Sequence, residues 1–407
     1  MKTLKTLAIF CLSALLFTGC GNDGEDTTSG LVLSADKYDL YDTDMESTEE
    51  LENVATFTIT YNGSKITDIN KVDFVDENNQ YAGDLLTFNN ETGDITFSST
   101  EQRVFCFKAG YGSLISNEIR ITVSPTPPPA PEAPQDANPS KTNFKRRVLL
   151  TQFTGTGCRY CPLMINALHT LMGTPLANDV VLTVAHLYNA TDPAYLYKAP
   201  TLSDAMGVRG YPHITADMKR TASYTNELNK QEPDYAYLQK LVQFSKNRVD
   251  VKGGIALNTE YKPEEGYVMV TALVKAKSTN EFRVGAWLVE DEIEGTQSNP
   301  NGYKPVEGAN FDLHSNCIRV ANSRRSDNDF TGVSVNTIQA GKTAVKSFAL
   351  PLLPNGKGGA TTWNHSKLRV VVFISTKENG SWHVNNVVTA PVSTSGEVTT
   401  LDFEYTE

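Results

Sequence analysis

The chain has no G-x-S-x-G turn, no Walker loop, no H-E-x-x-H pair and no glycine-rich dinucleotide fingerprint, so hydrolase and nucleotide chemistry receive no support from it. No D-x-D-x-D-G loop of the EF-hand kind is present either. Histidine is scarce: the six residues His169, His186, His213, His314, His365 and His383 are scattered, and a metal site would need more ligands at closer spacing. Positive charge is short at the front, where residues 20–124 hold 20 Asp and Glu against 6 Lys and Arg, while residues 125–407 are nearly balanced at 27 against 28. With a net charge of −11 the surface would repel nucleic-acid phosphates, so no nucleic-acid partner is expected. Long apolar runs are also missing. The one from Leu7 to Phe17 is too short to span a membrane, and after Lys2 and Lys5 it has the form of a secretory signal covering residues 1–19.

The end of the signal with the residue after it, Leu16-Phe17-Thr18-Gly19-Cys20, resembles the bacterial lipobox, which implies lipidation of Cys20 and a polar, glycine-rich tether over residues 20–30. Acyl chains stabilise membrane attachment by roughly 0.8 kcal/mol per buried methylene, so the membrane is the expected partner while the domains stay aqueous. Acidic residues at Asp23, Glu25 and Asp26 resemble a Bacteroidetes surface-export signal. The expected location is therefore the outer membrane, lipid-anchored, on its periplasmic or cell-surface face.

Length sets a prior of about three domains. Residues 31–124 alternate apolar and polar side chains in short stretches such as Ala55 to Tyr61 and Arg103 to Lys108, with Asn62-Gly63 and Thr92-Gly93-Asp94 as turns. That pattern predicts an immunoglobulin-like β-sandwich, with Cys106 as a buried, inert thiol. Residues 125–144 open with PTPPPAPEAPQDANPS, a polyproline-type linker acting as a semi-rigid spacer. Residues 145–249 alternate strand and helix: a strand from Val148, a helix to Leu171, a strand over Asp179 to Leu187, a helix over Ala194 to Met206 and another over Pro233 to Arg248. Residues 250–407 return to β patterning, with Tyr267 to Lys275, Phe282 to Val289, Ala344 to Leu350, Leu368 to Ser375 and Val384 to Thr389 predicting a second β-sandwich.

The chemistry concentrates in Val148 to Leu171, VLLTQFTGTGCRYCPLMINALHTL. Cys158 and Cys161 fall where the turn meets the helix, whose unpaired N–H groups and positive dipole end favour a thiolate. In that reading Cys158 is the exposed, attacking sulfur and Cys161 resolves the mixed disulfide, with Arg159 adding positive charge. A C-x-x-C pair also serves zinc, and in an exported protein it can stand as a static disulfide. His186 and His213, at strand ends, are candidate proton relays. Cys317 is a lone thiol expected in a core, and pairing with Cys106 is the alternative.

The strand, turn and helix around C-x-x-C resemble the thioredoxin superfamily, and Gly207 to Asp217, GVRGYPHITAD, looks like that family's cis-proline segment, with Tyr211 and Pro212 at the matching position. Gly157 departs from the tryptophan often found before the first cysteine, and Pro162 follows the second. The resemblance implies a central thioredoxin-like α/β domain between the two sandwiches, with Tyr160, Tyr211 and Pro212 offering walls and a backbone edge to a substrate peptide. Together with FTGTGCRYCP and His314-Ser315-Asn316-Cys317-Ile318-Arg319, the arrangement resembles the outer-membrane lipoprotein family of the twenty-eight-kilodalton outer-membrane-protein type from Bacteroidetes. Two functions follow as expectations. One is thiol–disulfide exchange on exported protein thiols, needing no cofactor; the other is a non-catalytic binding or adhesion lipoprotein that uses the central domain as a scaffold.

Overall fold

A computed structural model describes residues 30–42, 53–187, 191–196, 199–219, 235–321, 330–352 and 363–406. The signal, the tether and Cys20 lie outside the described residues. The described chain is mostly β-sheet with few helices.

Residues 31–124 form two five-stranded sheets. Strands β1 (Leu31–Ala35), β3 (Ala55–Tyr61), β7 (Asp94–Phe97) and β6 (Leu86–Asn89) run in that order, with β4 (Ser64–Lys65) on β3. The second sheet orders β2 (Asp39–Tyr41), β10 (Ile119–Ser124), β8 (Val104–Tyr111) and β5 (Val72–Val75), with β9 (Leu114–Ile115) on β8. Period-two patterning explains the layering: Ala55, Phe57 and Ile59 of β3 point inward and their neighbours do not. Phe57, Phe97 and Phe107 meet with centroids 5.0–5.2 Å apart in the shared core. Cys106 is a free, buried thiol, pushed up to about 12 by burial.

The proline-rich stretch does not cross open solvent. It is laid along the last third of the chain: Tyr267 donates to the Pro125 carbonyl, Thr271 to Pro131 at 2.7 Å and Asn258 to Glu132 at 2.8 Å. Lys275, fully buried, reaches Asp136 at 2.6 Å and the carbonyls of Asn138 and Pro139. Proline supplies carbonyls but no donor, so donors from the sheet side chains suit this strap.

Strand β11 (Val148–Thr154) leads into α1 (Cys161–Met172) and returns as β12 (Val180–His186), parallel to β11. Helix α2 (Ala199–Ala205) precedes β13 (His213–Ala216), antiparallel to β11, and α3 (Tyr235–Arg248) closes the segment. Alternation divides β11 between two cores. Val148 and Leu150 face α1 and α3, while Leu149 and Phe153 face α2. The helix expected from Ala194 forms only from Ala199. Asp192 Oδ1 accepts from Ala194 N at 2.9 Å and Asp192 O from Tyr195 N at 3.0 Å, and Tyr195 bridges to His186, so residues 192–195 are held as a turn.

The last third comprises β14 (Gly253–Lys262), β15 (Tyr267–Ala276), β16 (Asn280–Glu290), β17 (Ile293–Glu294), β18 (Leu313–His314), β19 (Cys317–Val320), β20 (Val333–Ile338), β21 (Thr343–Pro351), β22 (Leu368–Glu378), β23 (Ser381–Pro391) and β24 (Thr399–Leu401). One sheet is β21-β15-β14-β24. The other runs β13-β11-β12-β19-β16-β22-β23 without a break, with β20 on β16. The step from the α/β segment to the last third is the parallel pairing of Val184 with Cys317, so one eight-stranded sheet crosses residue 250. It curls until β23 lies back against β11, enclosing Phe153, Trp287 and Phe373 in one core. Two consecutive asparagines fasten the curl. Asn385 binds Asp250 and Lys252, and Asn386 binds Lys145, Arg147 and Gly253.

Candidate functional site

The cysteine loop leaves the carboxyl end of β11 at Thr154 and turns twice, with Cys158 N donating to the Gly155 carbonyl and Cys161 N to that of Cys158. Cys161 is the first residue of α1, and Cys158 lies in the turn before it. The two are joined as a disulfide. Both are buried: Cys158 is 3% exposed and Cys161 0%. The expected exposed sulfur is therefore covered, and the cover comes from the last third of the chain.

Residues 295–312, between β17 and β18, reach over the loop. Gln297 Nε2 donates to the carbonyls of Cys158 at 2.8 Å and Thr156 at 3.1 Å, and Ser298 N donates to Thr156 O at 2.7 Å. The same segment grips α1 through buried Asn166, which exchanges hydrogen bonds with Lys304 O and Val306 N. Arg159 and Tyr160 stay outside. The Arg159 guanidinium lies 5.4 Å from the Tyr160 ring centre and reaches Asn301 at 3.3 Å. A shallow groove bordered by Thr156, Gly157, Thr191, Pro193, Thr296 and Ser298 runs beside the bridge.

The Tyr211–Pro212 bond is cis. Phe153 pairs with His213, so Pro212 stands one position further on, at the end of β13 where β11 runs into the cysteine loop. Pro212 is buried, and Tyr211 packs with Leu187 into the core on the α2 side, where burial raises its hydroxyl above the usual range. Tyr211 is thus half-buried against that core.

Beneath the loop lies a cluster that the sequence did not assemble. His186 Nδ1 meets Asp192 at 2.9 Å, and Asp192 also accepts from Thr156 N at 2.6 Å, two residues before Cys158. Burial opposes charge on His186, but the neighbouring Cys317 and Asp192 outweigh it and raise the ring to about 10. His314 packs edge-on against His186 and bonds the Gly295 carbonyl through Nε2 at 2.8 Å. Burial and the charged neighbour push His314 down to about 4. Cys317 is a buried free thiol, as is Cys106. The sequence signals for this meeting were His186, a candidate relay at a strand end, and the His314-to-Arg319 segment; Asp192 and Gln297 carried none.

The other histidines stand apart. His213 lies edge-on to Phe153 at 6.4 Å, His365 Nδ1 meets the Tyr261 hydroxyl at 2.6 Å, and His169 is exposed on α1. Burial lowers His383. Among the described residues no group of three or more His, Cys, Asp or Glu side chains is arranged to hold a metal ion.

The chain matches no family model and no curated protein. Among solved structures it is similar to HBP35 of Porphyromonas gingivalis, at 16% identity over 63% of this chain and 80% of that one, with a TM-score of 0.46. Domains 6–7 of the surface layer protein SbsC match at 15% identity over 36% of this chain and 60% of that one, TM-score 0.20. The adhesin InvE of Yersinia pseudotuberculosis matches at 10% identity over 92% and 61%, TM-score 0.16. At such scores these likenesses assign neither family nor function.

Proposed function

We propose that this protein is an exported, lipid-anchored envelope protein of the family its sequence resembles, with a thioredoxin-like central module whose Cys158–Cys161 pair exchanges disulfides with exported proteins. The observation supporting exchange is the placement of the bridge. It sits at the head of α1, at the carboxyl end of parallel strands, with the cis Tyr211–Pro212 bond on the adjoining strand at that same end. The groove along Thr156 and Gly157 offers the approach. A substrate thiolate attacks Cys158 Sγ, the Cys158–Cys161 bond breaks, and Cys161 leaves as a thiolate that takes up a proton. A second substrate thiolate then attacks the substrate sulfur of the mixed disulfide, releasing Cys158 as thiolate; substrate is oxidised by two electrons and the pair is reduced.

Burial of both cysteines, in a loop whose backbone Gln297 ties down, favours a second reading, in which the bridge is static and the β-sandwiches present binding surfaces on a scaffold. Equilibration with glutathione redox buffers, together with insulin turnover, separates the two. Turnover abolished by Cys158→Ser, with the pair titrating above about −300 mV, supports exchange. A pair that stays oxidised below that value, with no turnover, leaves the scaffold.

A further inference from the structure

The second cavity of the α/β segment is not used by the cysteine pair. It has a volume of about 360 Å³ and lies between the carboxyl ends of β11 and β12 and helix α1, with residues 308–316 as its far wall. Ligands of open α/β sheets bind outside the carboxyl ends of the parallel strands, and the volume lies within the range of about 300 to 1,000 Å³ of small-molecule sites.

Its two ends differ. At the inner end Gln152 and Thr154 of β11 line the wall at 3% and 2% exposure, and Gln152 Nε2 and Thr154 Oγ1 are buried with no hydrogen-bonding partner among the described residues. Leaving such groups bare costs about 1–3 kcal/mol each, so two of them side by side call for an occupant. His186 lines the same end, while its partner Asp192 does not line the cavity; the ring stands between the carboxylate and the cavity. At the outer end the wall is apolar. Leu168 lies below, and Met172 and Leu313 remain 38% and 39% exposed at the mouth. Glu292, also at the wall, is engaged by Lys367 at 2.6 Å.

We infer that this cavity binds a small aliphatic carboxylate, its two oxygens taken by the Gln152 amide and the Thr154 hydroxyl beneath His186, and its chain running out over Leu168 between Met172 and Leu313. A carboxylate has two acceptor oxygens for two bare donors and complements the cationic ring. The alkyl chain covers apolar surface that otherwise faces water.

Calorimetry on the full chain with sodium hexanoate and, as the uncharged match, 1-hexanol provides the test. The expected result is one hexanoate per chain, hexanol at least tenfold weaker, and affinity reduced at least fivefold by Thr154→Val. Met172→Asp, at the exposed end of α1, should weaken hexanoate at least fivefold and so carries the test even where the buried variant fails to fold. Absence of hexanoate binding, equal binding of hexanol, or full affinity in Met172→Asp would overturn the assignment.

Discussion

The rings of His186 and His314 meet edge to face with centroids 4.9 Å apart, and they take opposite protonation states. His186 keeps its proton because Cys317 and Asp192 hold it. His314, buried beside that charge, gives its proton up.

The first prediction concerns pH. The folded protein resists a proton on His314 that the unfolded chain accepts, so the stability tied to this group is complete above about pH 6.5 and falls as pH drops toward 4, by on the order of 3 kcal/mol. His186 acts in the other direction: its contribution is complete below about pH 6.5 and is lost as pH rises toward 10. Urea unfolding across this range should give a maximum near neutrality, and His314→Gln should flatten the acid limb. An acid limb of unchanged slope in that variant would count against the assignment.

A second prediction concerns Asp217, fully buried, which accepts from Arg146 at 2.7 Å and Leu149 N at 3.1 Å while Arg248 stands at 3.5 Å and also pairs with Glu378. Burial raises its carboxyl despite the two guanidinium groups. Asp217→Asn leaves Arg146 buried without its counter-charge and should cost about 3–5 kcal/mol. Denaturant midpoints measure it; a loss below about 1 kcal/mol would mean that water reaches the pair.

The third concerns the cover over the bridge. Gln297→Ala removes the donor to the Cys158 and Thr156 carbonyls. Each hydrogen bond contributes about 0.5–1.5 kcal/mol and two are lost, about 1–3 kcal/mol together, so reduction of the bridge by dithiothreitol should accelerate by roughly 5- to 160-fold. Stopped assays of thiol release with and without the substitution give the ratio, and equal rates would show that Gln297 does not guard the sulfurs.

Local pattern carried the sequence reading a long way. The strand from Val148, the strand expected over Asp179 to Leu187 and the terminal helix lie within a few residues of β11, β12 and α3, because continuous apolar runs and a 3.6-residue period write themselves into the chain. The last third likewise holds strands where Tyr267 to Lys275 and Leu368 to Ser375 alternate or stay apolar. What the pattern could not carry was pairing between distant segments. Nothing near Val184 announces Cys317 as its neighbour, and nothing in QDANP announces Lys275. The site suffered in the same way. Cys158 and Cys161 were legible from spacing, but the side chain that ties down their loop, Gln297, stands 139 residues along the chain from Cys158. Tyr211 reads as an aromatic open to substrate, and the structure half-buries it against the core on the α2 side.

The strap over residues 125–139 has a mechanical consequence. A tug arriving from the front sandwich meets Tyr267, Thr271 and Asn258 first and then the three-way grip of Lys275, before any load passes Phe144, itself paired with Tyr405. Traction along the backbone is thus grounded in the β15 and β14 strands, and the cysteine loop sits downstream of the anchor point, shielded from it.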